Sequence, residues 1–346
     1  MQPPRKGAAG GTLAAAARVC YLIGMREIGP QDFVETLQKA TGSKRTPYHL
    51  FYSSLWDGYV RDPGLMVIPF DDHLTHRGDG VFETMKCLNG AVYNLDAHLQ
   101  RLQRSAYQVG LAFRRGPEAL RAKVLEALEV AAQPNCAVRV VLSRGPGGMG
   151  VSPTESEGSA LYILIYGGGE PFMKRHPEGA KLRKSRVPIK PPVFATAKTC
   201  NYIPNVLMKG EAEIWHVDFM VGVDPHGHIT ESATENIGIV SKKGRLVFPP
   251  LDTVLAGTTM LRVSELAQKL ESEGTLKGVV FRPIREEELY EAHEILAVGT
   301  TLNVASVVEY NGRKVGDGKP GPIGRALDAL IERDTLENEA LRIAYM

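Results

Sequence analysis

Residues 80–111 read GVFETMKCLNGAVYNLDAHLQRLQRSAYQVGL, and this stretch joins an extended pattern directly to a helical one. Two apolar runs flank the Asn-Gly pair that starts at Asn89, a dipeptide that strongly favours the tight turn of a β-hairpin. Asp96 then stands where an N-cap residue is preferred, and Leu99 and Leu102 begin one apolar helical face. Two strands followed at once by an amphipathic helix predict an α+β fold.

The rest of the chain divides into segments around this stretch. Short apolar runs alternate with turns and helical patterns over residues 48–168, which predicts a small α+β domain. The Gly- and Pro-rich residues 169–179 are expected to form a linker, and residues 180–346 a larger α+β domain. Residues 1–47 are expected to be a poorly ordered extension. Two such domains predict a cleft between them as the binding site.

Composition places the chain among globular proteins. Of its 346 residues, 43% are hydrophobic and 23% are charged. A formal net charge of +2 argues against a nucleic-acid partner. No apolar run is long enough to span a bilayer, so no membrane partner is expected. The four cysteines stand far apart without metal-binding spacing, which predicts reduced thiols in a cytoplasmic protein.

A second informative stretch is FATAKTCNYIPNVLMKGEAE, residues 194–213, in which Lys198 stands among small and apolar residues. An amine that forms a Schiff base must be partly desolvated, so that its pKa falls toward neutrality. Phe194 is expected to help supply that environment, and Asn201 and Tyr202 are expected to face the same pocket. Taken alone, a lysine whose alkyl chain lies along a sheet explains the pattern better.

Glu231 ends a strand pattern in GHITESATENIG, residues 227–238, and small residues follow it. A carboxylate in such a place could face the pyridine nitrogen of a flat cofactor ring and keep that nitrogen protonated. Taken alone, a glutamate on the surface of a strand is the simpler interpretation. His226 and His228 lie close by, but no third ligand stands at a suitable spacing, so we expect no metal site.

Two Gly-Thr-Thr turns are candidate phosphate sites, because backbone N–H groups and hydroxyls at a helix start bind anions. One turn carries Thr258 and Thr259 before a helical pattern, and the other carries Thr300 after an apolar strand. Arg101, on the helix of the opening stretch, is the candidate for a bidentate contact to the same anion. Threonine also caps helices routinely, and Arg101 is equally compatible with an exposed helix position.

Arg139 interrupts the strand pattern CAVRVVLSR, residues 136–144, which is apolar on both faces. We therefore expect Arg139 to be at least partly buried, and a buried arginine needs a carboxylate partner. That partner is either an internal Asp or Glu or the carboxylate of a substrate. Arg139 is thus our candidate substrate-binding residue, ahead of His76, Arg77 and Arg144.

Taken together, four stretches resemble the class IV aminotransferases, the pyridoxal-phosphate enzymes of fold type IV, in both order and spacing. The stretches are residues 78–106, 197–213, 227–240 and 255–267. The resemblance extends from about residue 48 to about residue 331. It implies a two-domain α+β fold whose larger domain binds pyridoxal 5'-phosphate in the cleft, and a homodimer.

The same resemblance implies roles for individual residues. Lys198 is the catalytic residue and carries the cofactor covalently, while Tyr202 hydrogen-bonds the phenolic oxygen of the cofactor. Glu231 pairs with the pyridine nitrogen and Arg101 with the phosphate. The threonines that complete the phosphate site are Thr258, Thr259 and Thr300.

The resemblance implies a ping-pong aminotransferase that moves an amino group between an amino acid and a 2-oxo acid. The stretch LSRGPGGMGVSP (residues 142–153) resembles aminodeoxychorismate lyase, but Asn201 and Tyr202 fit that enzyme less well. The branched-chain enzymes are the first choice, because they share the spacing of Lys198, Asn201 and Tyr202 and because GGMGVSP (residues 147–153) resembles one of their loops. The triplet FET at residues 82–84 departs from the FEG of those enzymes. Two alternatives within the family are a D-amino-acid aminotransferase and aminodeoxychorismate lyase, and a third, from another class, is a non-catalytic binding protein. Intact Lys198, Tyr202 and Glu231 argue against the last of these.

Overall fold

The structure is a computed structural model, which describes residues 27–39, 47–112 and 116–346. In these residues the helices are α1 (Pro30–Lys39), α2 (His73–Arg77), α3 (Leu95–Gln108), α4 (Gly116–Ala131), α5 (Phe172–Arg175), α6 (Pro192–Ala195), α7 (Ile203–Trp215), α8 (Thr258–Ser272), α9 (Glu286–Glu291) and α10 (Pro322–Glu337). None of these helices is long and apolar enough to cross a membrane.

The strands of the first half are β1 (Tyr48–Ser53), β2 (Gly58–Val60), β3 (Gly80–Leu88), β4 (Ala91–Tyr93), β5 (Cys136–Ser143) and β6 (Ala160–Gly167). Those of the second half are β7 (Ala180–Lys184), β8 (Phe219–Val221), β9 (Asn236–Val240), β10 (Leu246–Phe248), β11 (Val279–Phe281), β12 (Glu294–Gly299), β13 (Asn303–Tyr310), β14 (Arg313–Lys314) and β15 (Arg342–Ala344). Strands and helices are mixed in both halves, which confirms the predicted α+β class.

The first sheet is antiparallel and has the strand order β15-β4-β3-β5-β6-β1-β2. Apolar side chains on one face of β3, β5 and β6 pack against α3 and α4 and form one core. The predicted turn between β3 and β4 is present, and Asn89 and Gly90 adopt the positive φ angles that such a turn requires. The predicted N-cap is wrong, because Asn94 occupies the N-cap position of α3, without a side-chain hydrogen bond, and Asp96 lies inside the first turn.

The second sheet has the strand order β11-β10-β9-β12-β13-β7-β8 and mixes parallel with antiparallel pairs. Apolar residues cover both of its faces. One face forms a core with α5 and α9, and the other packs against α8 and α10. A sheet covered on both faces gives strands that are buried along almost their whole length, as in β9 and β12.

The structure differs from the domain boundaries that we expected from the sequence. The strand β15 pairs with β4, so the last residues of the chain return to the first sheet. The expected linker contains α5, whose Phe172 is buried in the core of the second sheet. In the expected N-terminal extension, residues 30–39 form a helix instead of lacking structure.

That helix, α1, buries no residue within the described part of the chain, but it contacts the segment around Asp62. The Gln38 side chain donates to Asp62, and Gly64 lies so close to the Leu37 carbonyl that no Cβ would fit. The remaining residues of the expected extension, 1–26 and 40–46, lie outside the described part of the chain.

The two halves are joined along β3 by the segment that contains Lys198. Phe82 N donates to Lys198 O at 3.0 Å, and Cys200 N donates to Gly80 O at 2.8 Å. This short ladder places the lysine at the boundary between the two sheets. The cleft that the sequence predicts lies on the side of β3 that faces away from α3.

Candidate active site

Lys198 is fixed through its backbone on both sides before its side chain enters the cleft. Its N–H donates to Ser105 Oγ at 3.0 Å, and its carbonyl accepts from Phe82. The ammonium nitrogen lies 4.6 Å from the centre of the Phe82 ring and 3.5 Å from Tyr202 Oη. Phe82 and Tyr202 therefore supply the apolar environment, whereas Phe194, which we expected in that place, is exposed.

The surroundings of Lys198 favour the neutral amine. Burial, together with the positive charge of Arg101, lowers the pKa of Lys198 from 10.5 to about 8, against the opposing effect of Glu83 and Glu231. Each unit of this shift makes the free amine tenfold more abundant at a given pH. The side chain is thus prepared for nucleophilic attack on a carbonyl group.

Tyr202 is the N-cap residue of α7 and is the neighbour of Lys198 in space as well as in sequence. Its ring meets Phe82 edge to face, with 5.1 Å between the ring centres. Burial and the negative charge of Glu231 raise its pKa above the usual value, so the hydroxyl remains protonated and can donate. Asn201, which we expected in the same pocket, instead donates its amide to the carbonyl of Gly78 at 3.0 Å.

The first turn of α8 forms the floor of the cleft. Gly257 caps this helix without a side-chain hydrogen bond, so the first backbone N–H groups point into the cleft. A Cβ at Gly257 would overlap the amide oxygen of Asn236, which explains the glycine. Thr258 and Thr259 follow, and Thr259 Oγ1 lies 3.4 Å from Thr300 Oγ1. The two Gly-Thr-Thr turns thus meet, and their hydroxyls and backbone N–H groups are of the kind that binds anions.

Arg101 lies in the same cleft but is largely engaged by the protein itself. Its Nε and Nη2 each donate to one oxygen of Glu83 at 2.7 Å, and its Nη1 donates to Ala256 O at 3.2 Å. A guanidinium has five N–H groups, so two remain for a ligand. The bidentate contact that we expected to a phosphate is made to Glu83 instead.

Glu83 is an acid on the core face of a strand, with 0% of its surface exposed. Burial alone would raise its pKa, but Arg101 and His98 outweigh that effect and lower the pKa of Glu83 to about 2. Burial likewise lowers the pKa of His98, which favours the neutral ring. His98 Nδ1 lies 2.7 Å from Glu83, and His98 Nε2 lies 3.2 Å from Thr258 Oγ1. Glu83 therefore positions both Arg101 and the first threonine of α8.

Sequence reasoning did not identify Glu83 and His98 as site residues, although a signal was present. In β3, residues alternate between the two faces, so Glu83 falls with Val81 and Met85 on the face that packs against α3. An acid at a core position requires a cationic partner, and Arg101 stands on the helix that packs there.

Glu231 lies beside Lys198 but outside the main cavity. It lines a smaller cavity of about 30 Å³ that it shares with Lys198 and Tyr202. Leu255 N donates to its Oε2 at 3.1 Å, and Lys190 Nζ lies 3.2 Å from its Oε1. The carboxylate is therefore held from two sides in a cavity that does not include Thr258, Thr259 or Thr300.

The expectation that Arg139 is partly buried is wrong. Arg139 is exposed, because it lies on the face of β5 that is opposite the core and looks into the cleft. Its Nε donates to Thr84 Oγ1 at 3.2 Å, and its guanidinium lies 5.2 Å from the centre of the Phe82 ring. These contacts hold it at the mouth of the cleft, with no carboxylate partner among the described residues.

These groups surround one cavity of about 180 Å³ between the two sheets. The first half of the chain contributes Phe82, Thr84, Arg101, Arg139 and Tyr166, and the second half contributes Lys198, Tyr202, Asn236, Gly257, Thr258, Thr259 and Thr300. A helix start without a side-chain cap for an anion, an amine of lowered pKa and a fixed carboxylate all suit pyridoxal phosphate. Within the described residues, no group of three or more His, Cys, Asp or Glu side chains could hold a metal ion.

Comparisons with known proteins agree with this geometry. Residues 80–310 match the family model described as "Amino-transferase class IV". The chloroplastic D-amino-acid transaminase of Arabidopsis thaliana is 36% identical over 300 residues, which cover 86% of this chain and 79% of the relative. A putative branched-chain-amino-acid aminotransferase of Methanocaldococcus jannaschii is 29% identical over 270 residues, which cover 78% of this chain and 91% of that protein.

A solved structure, the branched-chain amino acid aminotransferase of Escherichia coli, shares the fold. Its TM-score is 0.77 at 22% sequence identity, over 87% of this chain and 100% of that chain. Another branched-chain amino acid aminotransferase, solved with pyridoxamine 5'-phosphate, has a TM-score of 0.80 at 23% identity over the same shares of the two chains. The predicted fold type IV architecture is thereby confirmed. The chain belongs to the class IV aminotransferase family and is a pyridoxal-phosphate-dependent transaminase, as its motifs predict.

Proposed function

We propose that this transaminase moves the amino group of a branched-chain amino acid to a 2-oxo acid by a ping-pong mechanism. The observation that carries the proposal is the placement of Lys198, which lines both the cavity that contains the start of α8 and the smaller cavity that contains the Glu231 carboxylate. The putative branched-chain-amino-acid aminotransferase of Methanocaldococcus jannaschii, which is 29% identical to this chain over 270 residues, supports this substrate class. The residue roles below belong to the same proposal.

The cofactor would be held at three places. The N–H groups and hydroxyls at Thr258, Thr259 and Thr300 bind the phosphate, helped by the two free N–H groups of Arg101. Glu231 accepts a hydrogen bond from the pyridine nitrogen, and Tyr202 donates one to the phenolic oxygen. When bound, pyridoxal phosphate supplies an electron sink that makes the α-proton of an amino acid acidic.

Lys198 has two tasks in this proposal. Its amine would hold the cofactor, and in its free form it would take the α-proton from the donor amino acid as a base and, in the second half-reaction, deliver a proton to the α-carbon of the product amino acid as an acid. A pKa of about 8 suits both tasks near neutral pH, because the amine can take a proton and also release it. Phe82 and Tyr202 exclude water from one side of the amine.

Arg139 would bind the carboxylate of the amino acid. Its guanidinium lies at the mouth of the cavity, and Thr84 and Phe82 orient it without neutralising its charge. A planar guanidinium binds a carboxylate through two parallel hydrogen bonds, which fixes the orientation of the α-carbon. The distance between this anchor and Lys198 then decides which face of the substrate meets the amine.

A D-amino-acid aminotransferase is the second candidate function. It is favoured by the Arabidopsis relative, whose 36% identity exceeds the 29% of the branched-chain relative described above. Both functions need the carboxylate and the amine of the substrate in the same positions. In a D-amino acid, however, the α-hydrogen and the side chain have exchanged places relative to an L-amino acid. Aminodeoxychorismate lyase, which eliminates pyruvate, is tested by the same experiment.

We also infer a homodimer, because α7 leaves one apolar face in water. Its exposed residues include Ile203, Val206, Leu207 and Ile214. Contiguous apolar patches of this kind mark association surfaces on soluble proteins. Sedimentation of the wild type beside Ile214→Glu would test this inference, since a charge on that face is expected to release monomers.

We also propose a cytoplasmic location for this protein. The Arabidopsis relative, by contrast, is named chloroplastic.

The deciding experiment is the visible spectrum of the purified protein with pyridoxal phosphate, before and after single amino acids are added. Loss of the absorption band with L-leucine or L-valine, and its return with a 2-oxo acid, would support the proposal. The same result with D-alanine alone would favour the second candidate. A band that no amino acid removes, with pyruvate released from aminodeoxychorismate, would establish the lyase in their place.

A further inference from the structure

The carboxylate of Glu231 has a cationic partner that the family motifs did not point to. Lys190 Nζ lies 3.2 Å from Oε1, while the backbone N–H of Leu255 donates to Oε2. The side chains of Lys190 and Glu231 are only 20% and 15% exposed, so this pair is not an ordinary surface ion pair. The carboxylate of Glu231 therefore already has two partners, Lys190 and the backbone N–H of Leu255, before any ligand binds.

The chain holds Lys190 in this position through its backbone. Pro191 and Pro192 follow it and open α6, and a proline restricts the residue before it to extended conformations. Lys190 is also one of the residues that line the cavity of about 30 Å³ with Lys198 and Glu231. The lysine thus belongs to the wall of the reaction centre.

The same small cavity has a polar lining. Asn205 Oδ1 and Ser232 Oγ are buried there and have no hydrogen-bond partner among the described residues. A polar cavity of this size accommodates a water molecule. Water at this place would solvate the ion pair of Lys190 and Glu231 beside the amine of Lys198.

We propose that Lys190 is a positioning residue, which shares the Glu231 carboxylate with the ring nitrogen of the cofactor and places a second cation beside Lys198. The proposal rests on the proposed function, because it assigns Glu231 to the cofactor. Its consequence is that Lys190 helps to keep Lys198 in the amine form. Without Lys190, the full negative charge of Glu231 would act on the ammonium form of Lys198 and stabilise it.

The charges around Lys198 make the direction of this effect clear. Arg101 and Lys190 lower its pKa, and Glu83 and Glu231 raise it. Removal of Lys190 takes away a like charge and also frees an opposite one, so both changes raise the pKa of Lys198. Among the described residues, further titratable groups that interact with Lys198 include His98 of α3 and Cys200 of the following segment, and Tyr202 accepts a hydrogen bond from it.

The test follows the capture of pyridoxal phosphate by apo-protein as a function of pH, in wild type, Lys190→Met and Lys190→Arg. Lys184→Met is the matched control, because Lys184 also pairs with a glutamate, Glu286, but lies outside the cavity. Only the free amine reacts, so the rate constant of the wild type should rise with a midpoint near pH 8. In Lys190→Met we expect the midpoint to rise by about one unit and capture at pH 7 to slow about tenfold.

Lys190→Arg should restore the midpoint of the wild type, and Lys184→Met should leave it unchanged. A Lys190→Met protein with the midpoint of the wild type would overturn the proposal, whatever its stability. So would an equal shift in Lys184→Met, since this would show a general effect of lost charge. If the wild type captures no pyridoxal phosphate at any pH, the proposed function falls as well, and the two failures are thus distinguishable.

Discussion

A single buried amine dominates the site at the scale of residues. The fold holds Lys198 in surroundings that disfavour its charge, and this has a cost in stability as well as a use in chemistry. Burial lowers its pKa from 10.5 to about 8, whereas the unfolded chain keeps the usual value. Charging this lysine at pH 7 therefore costs the native state roughly 3 kcal/mol, at about 1.36 kcal/mol per pKa unit.

This cost predicts that Lys198→Met abolishes transamination and yet makes the apo-protein more stable. The gain should be at most about 3 kcal/mol below pH 8 and should vanish as the pH rises toward 10.5, where both states lose the proton. Urea unfolding of wild type and variant at pH 7 and pH 10 measures it. An apo-protein that Lys198→Met destabilises at pH 7 would contradict the prediction.

Glu83 is the second residue whose charge state the fold determines. Its pKa lies near 2, below the usual 4.5, so it contributes stability that is complete above pH 4.5 and is lost as the pH falls toward 2. Glu83→Gln leaves Arg101 buried without its carboxylate. We expect a loss of about 3–5 kcal/mol at pH 7, together with weaker cofactor binding, because His98 and Thr258 lose their support.

Acid unfolding monitored by circular dichroism, combined with denaturant unfolding at pH 7, would check this prediction. Between pH 4.5 and 2 the wild type should lose stability more steeply than Glu83→Gln. Asp96→Asn is a suitable control, since that acid lies on the surface of α3, where it pairs with Arg121 and should matter little. Parallel pH profiles for wild type and Glu83→Gln would refute the role given to Glu83.

At the scale of elements, the sequence predicted those structures that depend mainly on residues close together in the chain. The Asn-Gly turn after β3 and the helix α3 were foreseen, because a hairpin and an amphipathic helix depend on neighbours in sequence. The exposure of Arg139 was not foreseen, because it depends on which face of β5 the distant cleft covers. Lys190 was missed for the same reason: its partner stands 41 positions later, and no motif joins the two.

The prediction at this scale concerns the start of α8. Gly257→Ala puts a Cβ against the amide of Asn236 and displaces the first turn of the helix. We expect an affinity for pyridoxal phosphate about tenfold lower, equivalent to about 1.4 kcal/mol, since the phosphate loses its fixed N–H donors. Pyridoxal, which lacks the phosphate, should bind wild type and variant equally well.

Fluorescence titration of the apo-proteins with both compounds measures these affinities. Gly238→Ala in β9 is the matched control, because its Cβ would meet the buried Phe248 ring. That change should cost about 1–3 kcal/mol of stability through overpacking but should leave the ratio of the two affinities unaltered. If Gly257→Ala weakens pyridoxal as much as pyridoxal phosphate, the helix start is not the phosphate site.

At the scale of the whole molecule, the site depends on how firmly the two sheets are joined. The cavity takes residues from both, so any relative movement would separate Arg139 from Lys198. Behind the site, Asp334 of α10 accepts from Tyr93 of the first sheet and forms two hydrogen bonds with Arg262 of α8. This buried group joins elements that come from distant parts of the chain, which is why no sequence pattern indicated it.

We therefore predict that Asp334→Asn weakens the contact between the first sheet and α8, and lowers both the stability of the protein and its turnover rate. The carboxylate is only 7% exposed, and its removal leaves Arg262 without its buried partner, which should cost about 3–5 kcal/mol. Glu265→Gln is the matched control, because Glu265 pairs with the same Arg262 at 2.7 Å but is 61% exposed, and should cost less than about 1 kcal/mol. Denaturant unfolding and transaminase rates on the two variants compare a buried with an exposed partner of one arginine. Equal losses of stability and rate in the two variants would contradict the role given to Asp334 in connecting the two sheets.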